Sequence, residues 1–279
     1  MNLIETLNTG YKILKQSNIE TYRLDTEILL SNSLNISKEK IILNLNQTIN
    51  IKDFQKFLEF IKRRKKKEPI AYIINKKEFW RNEFYVNNNV LIPRPETEHL
   101  VEETLKIISK NQKKRLLEIG TGSGCLILSV LKERKLCSAT GIDKSKKAIK
   151  IAKFNANLHH IKNRVKFIKS DVDNYNSDTY DLVISNPPYI DKHKVKYLDV
   201  SAHEPHDALN GGSNGLEIIK KVILKSSKIL KINGKLIVEI GFDQKYKVID
   251  FLKKNNFFIN NITKDLMKYD RCITSTKLI

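Results

Sequence analysis

The chain has 279 residues, of which 41% are hydrophobic and 29% charged, a balance typical of a soluble globular protein and not of a disordered or membrane-spanning chain. No apolar run approaches the ~20 residues that a membrane span needs, and no basic, apolar leader opens the sequence, so we expect a cytoplasmic protein without membrane contact. The net charge of +20 is compatible with an anionic partner, but Asn, Lys and Ile are frequent throughout, so biased codon usage explains it equally well.

The first part of the chain is predicted to be a small helical bundle. From Leu3 to Arg64 apolar residues recur at helical spacing, with polar turns near 16–20 and 44–50. The last of these helices runs into the basic run Lys62–Lys67, and Pro69 then ends it. Such a run could contact phosphates, but it is also typical of a solvated helix end.

The segment that follows the bundle, residues 70–92, is predicted to form a β-hairpin. Short, aromatic-rich extended pieces alternate there with polar breaks at 75–77 and 87–89. The hairpin would join the helical bundle to the remainder of the chain. Acidic residues after Pro95 then indicate the first turn of a further helix.

After Asn111 strands and helices alternate, which predicts a doubly wound, mostly parallel α/β sheet with helices on both faces. The strands are predicted at 116–119, 139–142, 165–168, 182–185, 236–240, 258–262 and 273–278. The main helices between them are predicted at 125–133, 145–158, 216–230 and 245–254. In sheets of this kind the ligand binds at the carboxyl ends of the strands.

A glycine-rich turn follows the first predicted strand and opens a helix. Glycines let the backbone turn tightly and approach a ligand closely, and the helix N-terminus offers unpaired N–H groups. Its spacing is Gly-x-Gly-x-Gly, and Cys125 stands where the dinucleotide fingerprint would place its third glycine. The residues of the turn predicted to contact a cofactor are Glu118, Gly120, Thr121, Gly122, Ser123 and Gly124.

Two acidic residues close the next two predicted strands. Asp143 could accept hydrogen bonds from both hydroxyls of an adenosine ribose, a role shared by nicotinamide and S-adenosylmethionine sites. Asp171 follows the third strand, where a side chain could meet the adenine amino group. Helix capping is the alternative for both, but their joint placement at strand ends favours a nucleoside cofactor.

The sequence Asn186-Pro187-Pro188-Tyr189 follows the fourth predicted strand directly. A planar nitrogen is a poor nucleophile because its lone pair is delocalised, so an enzyme that methylates one must hold it in line with the sulfonium methyl of S-adenosylmethionine. The side-chain oxygen of Asn186 and the carbonyl of Pro187 can accept the two N–H hydrogens of such a group. Tyr189 can stack on its flat face. A plain proline-rich turn is the alternative.

Other catalytic constellations are not found in the sequence. There is no Ser-His-Asp, HExxH or paired-carboxylate arrangement, and transfer to an amide needs no strong base because the methylated nitrogen loses its proton readily. The cysteines, which are far apart and form no CxxC, predict reduced thiols and no metal site. Nothing suggests obligate assembly, so we expect a monomer.

Nearly end to end, the chain resembles the HemK/PrmC family, the release factor glutamine methyltransferases. The most distinctive part of the resemblance is the signature Val90–Glu98, together with the glycine turn and the motif Asn186–Tyr189. Further matching segments are Leu24–Leu30, Glu68–Ile73, Glu78–Trp80, Glu204-Pro205 and Asp270-Arg271. Asn75 and Arg81 stand where glycine is usual; asparagine tolerates a left-handed turn, whereas Arg81 suggests a locally different one.

The resemblance implies a class I S-adenosylmethionine methyltransferase fold with a Rossmann-like, mostly parallel seven-stranded sheet and a small N-terminal helical bundle joined to it by the hairpin. It implies methylation of the glutamine in the Gly-Gly-Gln loop of class I peptide chain release factors. The glycine turn, Asp143 and Asn186 would contact the cofactor, Val172 would lie beside the adenine, and Asn186–Tyr189 would contact the glutamine. We expect a docking domain at 1–72, a hairpin linker at 73–94 and a methyltransferase domain at 95–279.

Two related activities remain as alternatives. A nucleic-acid adenine-N6 methyltransferase faces the same planar NH2 problem, and the basic charge favours it slightly, but no target-recognition module is seen and no stable nucleic-acid partner is expected. The other is an enzyme of the same family that methylates a ribosomal protein glutamine. A binding protein on an inactive methyltransferase fold is disfavoured by the intact glycine turn, Asp143 and Asn186.

Overall fold

The computed structural model describes residues 1–176 and 179–279, and it divides into two compact units, Met1–Lys76 and Lys77–Ile279. The first unit is helical, and the second contains the large sheet. Within the described residues, no helix combines the length and the apolar character needed to cross a membrane.

The helices of the first unit pack around an apolar core that includes Leu14, Leu29 and Phe57. At Gly10, an added Cβ would lie 2.5 Å from the Cγ2 of Thr26 and 2.8 Å from the Phe57 ring, so glycine permits the close approach of three helices. The helices are α1 (Leu3–Gln16), α2 (Tyr22–Leu34), α3 (Lys38–Leu43), α4 (Ile51–Lys65) and α5 (Ile70–Ile73). The predicted helical bundle is therefore present.

The basic run at the end of α4 separates into two kinds of residue. The Arg63 guanidinium bonds the Glu68 carboxylate at 2.5 and 2.8 Å, and Arg64 bonds Asp25 at 2.7 Å. The lysines of the run are exposed: Lys62, Lys65, Lys66 and Lys67. The arginines therefore stabilise the fold of this unit, and the lysines supply its surface charge.

The hairpin is shorter than the sequence pattern indicates. Its strands are β1 (Lys76–Phe79) and β2 (Asn82–Tyr85), and Ile70–Ile73 is a helical turn where an extended piece was expected. The prediction was wrong there because apolar Ile70 and Ile73 join the helical core, which a strand would not allow. Arg81 has φ +60°, so it adopts the left-handed conformation that glycine favours, contrary to the different turn expected.

The second unit is built on a seven-stranded sheet in the order β5-β4-β3-β6-β7-β9-β8, in which only β9 runs against its neighbours. Its strands are β3 (Arg115–Ile119), β4 (Ser138–Asp143), β5 (Val165–Lys169), β6 (Tyr180–Ser185), β7 (Leu230–Glu239), β8 (Phe257–Lys264) and β9 (Asp270–Lys277). The predicted fold class, a Rossmann-like and mostly parallel seven-stranded sheet with an N-terminal helical region, is confirmed.

Helices cover both faces of the sheet and bury two apolar layers. The larger helices are α6 (Glu98–Ile107), α7 (Cys125–Glu133), α8 (Lys146–Leu158), α11 (Glu217–Ile229) and α12 (Lys245–Lys254). Short helices α9 (Lys192–Val195) and α10 (His206–Leu209) lie between β6 and α11. The buried side chains fall into two clusters, one on each side of the sheet, because strand residues alternate between its faces.

The strand order places a topological switch point between β3 and β6. The chain passes from β3 to β4 and β5 on one side and then returns to β6 and β7 on the other. The loops that follow the neighbouring strands β3 and β6 thus diverge at the carboxyl ends of these strands, which leaves a crevice where ligands bind in sheets of this type. The glycine turn follows β3, and Asn186 follows β6.

Candidate active site

A cavity of about 430 Å³ opens at the switch point, within the size range of small-molecule sites. Predicted site residues that line it are Gly120, Gly122, Asp143, Asp171, Val172, Asn186 and Pro188. Its wall also includes the segment Asn88–Leu91 and the segment Pro205–Ala208. The carboxyl ends of β3, β4 and β6 thus contribute to one concave surface, at the edge of the sheet where the strand pattern predicts the ligand.

The glycine turn is held in place by the end of the neighbouring strand. Gly120 and Gly122 have φ of +77° and +53°, in the left-handed region that glycine favours. The backbone N–H groups of Gly120 and Thr121 donate to the Ile142 carbonyl at 2.9 and 3.0 Å. Within 4 Å of a Cβ built on Gly122 there is no described atom, so the turn faces open space on its cavity side.

Asp143 occupies the end of β4 with both carboxylate oxygens engaged. Oδ2 accepts from the Gly122 N–H at 2.9 Å, and Oδ1 accepts from the Ser145 N–H at 2.8 Å. Burial raises the pKa of this carboxyl, and the two backbone hydrogen bonds oppose the shift. Each carboxylate oxygen has a second acceptor position, so Asp143 can still bind the two hydroxyls of a ribose. The residue therefore fits a nucleoside cofactor.

Four of the predicted cofactor residues lie in the wall behind the cavity. Glu118 is buried and its carboxylate accepts from the Thr121 hydroxyl; burial raises the Glu118 pKa to about 8. The Ser123 carbonyl accepts from the Asn155 side chain at 2.8 Å. A Cβ on Gly124 would lie 3.2–3.3 Å from apolar side chains of the core. In the described structure these residues support the turn, while Gly120 and Gly122 face the cavity.

The residues after β5 lie on the opposite wall. Asp171 Oδ1 accepts from the Asp173 N–H at 3.0 Å, which fixes a tight turn. Val172 is 9% exposed and lines the cavity beside Asp171. A nucleoside base seated between this turn and Asp143 would meet an apolar side chain and a carboxylate.

The motif Asn186–Tyr189 spans the other side of the crevice. The Nδ2 group of Asn186 donates to the Thr97 hydroxyl at 2.8 Å, while Pro187 is buried and Pro188 lines the cavity. Among the described residues, no group donates a hydrogen bond to Asn186 Oδ1, so that oxygen is available to a ligand. The Tyr189 hydroxyl faces the Glu239 carboxyl, and burial raises the tyrosine pKa.

Two polar residues of the site were not singled out as functional from the sequence. Thr97 precedes α6, and its hydroxyl donates to Glu239 Oε2 at 2.8 Å. Glu239 ends β7 and is 1% exposed. Thr97 lies inside the family signature Val90–Glu98, whereas Glu239 carries no motif, and only its place at the end of a buried strand could have indicated it.

The backbone of the motif is packed against a second glycine segment. An added Cβ would lie 2.7 Å from the Pro188 carbonyl oxygen at Gly211 and would overlap the Tyr189 carbonyl oxygen at Gly215. The Gln244 side chain donates to the same Tyr189 carbonyl at 2.9 Å. These residues hold the motif from behind, a role that the sequence did not reveal because glycines between elements are usually plain turns.

Two protein-family models match the chain. The model described as PrmC N-terminal domain matches residues 5–74, and the model described as methyltransferase small domain matches residues 98–203. The two matches fall on the helical unit and on the sheet unit respectively.

Several proteins that are similar over nearly the whole chain are release factor glutamine methyltransferases. A release factor glutamine methyltransferase of Clostridium acetobutylicum is 35% identical over 282 residues, covering 99% of each chain. One of Buchnera aphidicola subsp. Schizaphis graminum is 40% identical, covering 97% of this chain and 98% of the relative. A third, of Caulobacter vibrioides, is 32% identical, and the match covers 99% of this chain and 97% of the relative. The likeness therefore includes both units.

Solved structures share the fold of the sheet unit. A ribosomal protein L11 methylase from Lactobacillus delbrueckii subsp. bulgaricus has a TM-score of 0.53 at 18% identity, covering 70% of this chain and 84% of its own. A methyltransferase from Pyrococcus furiosus has a TM-score of 0.55 at 19% identity, and the match covers 70% of this chain and 89% of that structure. At such identities the likeness supports the fold alone.

Proposed function

This chain belongs to the release factor glutamine methyltransferase family, and from that membership we propose that it methylates N5 of the glutamine in the Gly-Gly-Gln motif of class I peptide chain release factors. The methyl donor is S-adenosylmethionine. The observation that carries the proposal is the position of Asn186 beside the cavity, with its Nδ2 bonded to Thr97 and its Oδ1 available.

The cavity fits the cofactor by the chemistry of its wall. Gly120 and Gly122 allow close approach of the backbone, and Asp143 retains acceptor positions for a ribose. Asp171 and Val172 would border the adenine. When bound, the cofactor supplies an electrophilic methyl group on a sulfonium. Glu118, Thr121, Ser123 and Gly124 would contribute by supporting the turn.

The chain's own contribution is to orient the acceptor nitrogen. We propose that Asn186 Oδ1 and the Pro187 carbonyl accept the two N–H hydrogens of the glutamine amide. Both acceptors favour the positive charge that the nitrogen gains during transfer, and together they aim its lone pair across the cavity. Pro188 and Tyr189 would confine the amide plane, and Tyr189 would do so with its hydroxyl held toward Glu239.

The substrate assignment predicts selective labelling of a release factor. Purified protein incubated with methyl-labelled S-adenosylmethionine is expected to label a class I release factor, and mass spectrometry is expected to place one methyl group on the glutamine of its Gly-Gly-Gln motif. A release factor with alanine in place of that glutamine is the control and should stay unlabelled.

Two outcomes would contradict the assignment. Labelling of DNA alone would favour adenine-N6 methylation, for which the net charge of +20 is the supporting feature. Labelling of a ribosomal protein alone would favour the related glutamine methyltransferase. We propose a cytoplasmic enzyme, since its substrate acts in translation. We also propose that it is a monomer and that it has no stable nucleic-acid or membrane partner.

We further propose that the helical unit docks the release factor through the exposed lysines at the end of α4. The arginines of the same run are already bonded to Glu68 and Asp25, so Lys62, Lys65, Lys66 and Lys67 are the charges left for a partner. The first three lie on α4 or at its C-cap. Exposed charges mainly change the rate at which two proteins associate, and salt screens this effect.

Replacing Lys62, Lys65 and Lys66 together by serine is expected to raise KM for the release factor about tenfold at low salt, with kcat unchanged. The difference should shrink as salt is added, which steady-state kinetics at two ionic strengths will show. The matched control replaces Lys228, Lys247 and Lys253, exposed lysines of the sheet unit, by serine. Equal KM values for the two triple variants would disprove docking through α4.

A further inference from the structure

A short chain of hydrogen bonds leads from a buried carboxyl to the Asn186 amide. Glu239 Oε2 accepts from the Thr97 hydroxyl at 2.8 Å, and the Thr97 oxygen accepts from Asn186 Nδ2 at 2.8 Å. Glu239 is 1% and Thr97 5% exposed, so bulk water does not compete for these bonds. Asn186 and Glu239 reach the same hydroxyl because Asn186 directly follows β6 and Glu239 ends the paired strand β7, and Ser185 lies opposite Val238 in this pair.

The Thr97 hydroxyl has one proton, and this determines which end of the amide it can bind. While that proton is donated to a carboxylate, the hydroxyl can only accept, so it binds the NH2 end of Asn186. The amide oxygen is then turned away from Thr97. An amide rotated by half a turn would present NH2 to the cavity, where it would oppose the N–H groups of a glutamine.

We propose that Thr97 and Glu239 are positioning residues for methyl transfer, which hold the Asn186 amide in the orientation that offers its oxygen to the substrate nitrogen. Neither side chain needs to touch the substrate. The inference rests on the proposed function, because it concerns the residue that would bind the glutamine.

Protonation of Glu239 would release this constraint. Burial raises its pKa to about 7, while the bonds from Thr97 and Tyr189 and the charge of Arg271 oppose the shift. Glu96 and Cys272 also face this carboxyl. Below that pKa the neutral carboxyl can donate, the Thr97 proton becomes free to bind Asn186 Oδ1, and the amide can rotate. The rate of transfer is therefore expected to fall as the pH drops through 7.

The first test compares variants at position 97. Thr97→Val removes the hydroxyl and is expected to lower the single-turnover rate about tenfold, the value of one hydrogen bond to a polar group, with the Kd for S-adenosylmethionine unchanged. Thr97→Ser keeps the hydroxyl and should restore most of the rate. Thr104→Val is the matched control, because that buried hydroxyl donates to the Leu100 carbonyl of its own helix at 2.7 Å.

The second test is the pH profile of Glu239→Gln, in which the side chain is neutral at every pH. The wild-type single-turnover rate is expected to rise about tenfold from pH 6 to pH 8, as one ionisation near 7 requires, and the variant rate should stay flat. A sloping variant profile, or a Thr97→Val rate within twofold of wild type, would overturn the inference. If Thr97→Val fails to fold, the Glu239→Gln profile decides alone. If the wild type does not label a release factor, the proposed function itself has failed.

Discussion

Asn186→Ala is expected to lower kcat about thousandfold, while the Kd for S-adenosylmethionine stays within a few-fold of the wild-type value. The substitution removes the acceptor oxygen that would orient the glutamine amide, and this loss weighs most in the transition state, where the nitrogen gains charge. The Nδ2 bond to Thr97 is also lost, so the hydroxyl would be free to turn. Single-turnover kinetics and calorimetry measure the two quantities separately.

The control for this variant is Asn157→Ala, which truncates an exposed asparagine of α8 and should leave both quantities unchanged. Equal losses of turnover and cofactor affinity in Asn186→Ala would mean that Asn186 acts mainly in the cofactor site or in folding. Retention of more than a tenth of the wild-type kcat would contradict the proposed orientation of the glutamine.

Asp143→Ala is expected to raise the Kd for S-adenosylmethionine about hundredfold, which amounts to about 2.7 kcal/mol of binding free energy. Two effects combine. The ribose would lose its carboxylate partner, and the Gly122 N–H would lose the acceptor that holds the glycine turn at 2.9 Å. Charge-assisted hydrogen bonds in a buried site are the stronger class, so their joint loss is large.

Calorimetry with S-adenosylhomocysteine, the demethylated product of the cofactor, offers a second measurement. This compound has the same nucleoside as S-adenosylmethionine but lacks the transferable methyl group. Asp250→Ala, at an exposed aspartate of α12 that pairs with Lys254, is the matched control and should bind both ligands normally. An unchanged Kd in Asp143→Ala would exclude the end of β4 as the ribose site.

Much of the sheet unit could be predicted from sequence because its signals are local. The helix Cys125–Glu133 and the helix Lys245–Lys254 have the predicted bounds, and each is set by an apolar face and by nearby turn residues. The order of strands along the chain was predicted in the same way. The helical turn Ile70–Ile73 was not predicted, because a short apolar segment can form either a strand or a helical turn. Contact with the helical core decides between the two conformations.

The sequence by itself determined the fold class through the alternation of strands and helices along the sheet unit. It also marked the glycine turn, Asp143 and the motif Asn186–Tyr189, because each of these is contained in a few neighbouring residues with a strong conformational or chemical preference. Only the tertiary structure decided which polar groups meet. Thr97 lies 89 residues from Asn186 and 142 from Glu239, and their contact depends on the register of β6 with β7 and on the packing of α6. Buried polar groups need hydrogen-bond partners, and in the folded core those partners come from distant parts of the chain. Such pairings produce no periodic pattern in the sequence from which they could be predicted.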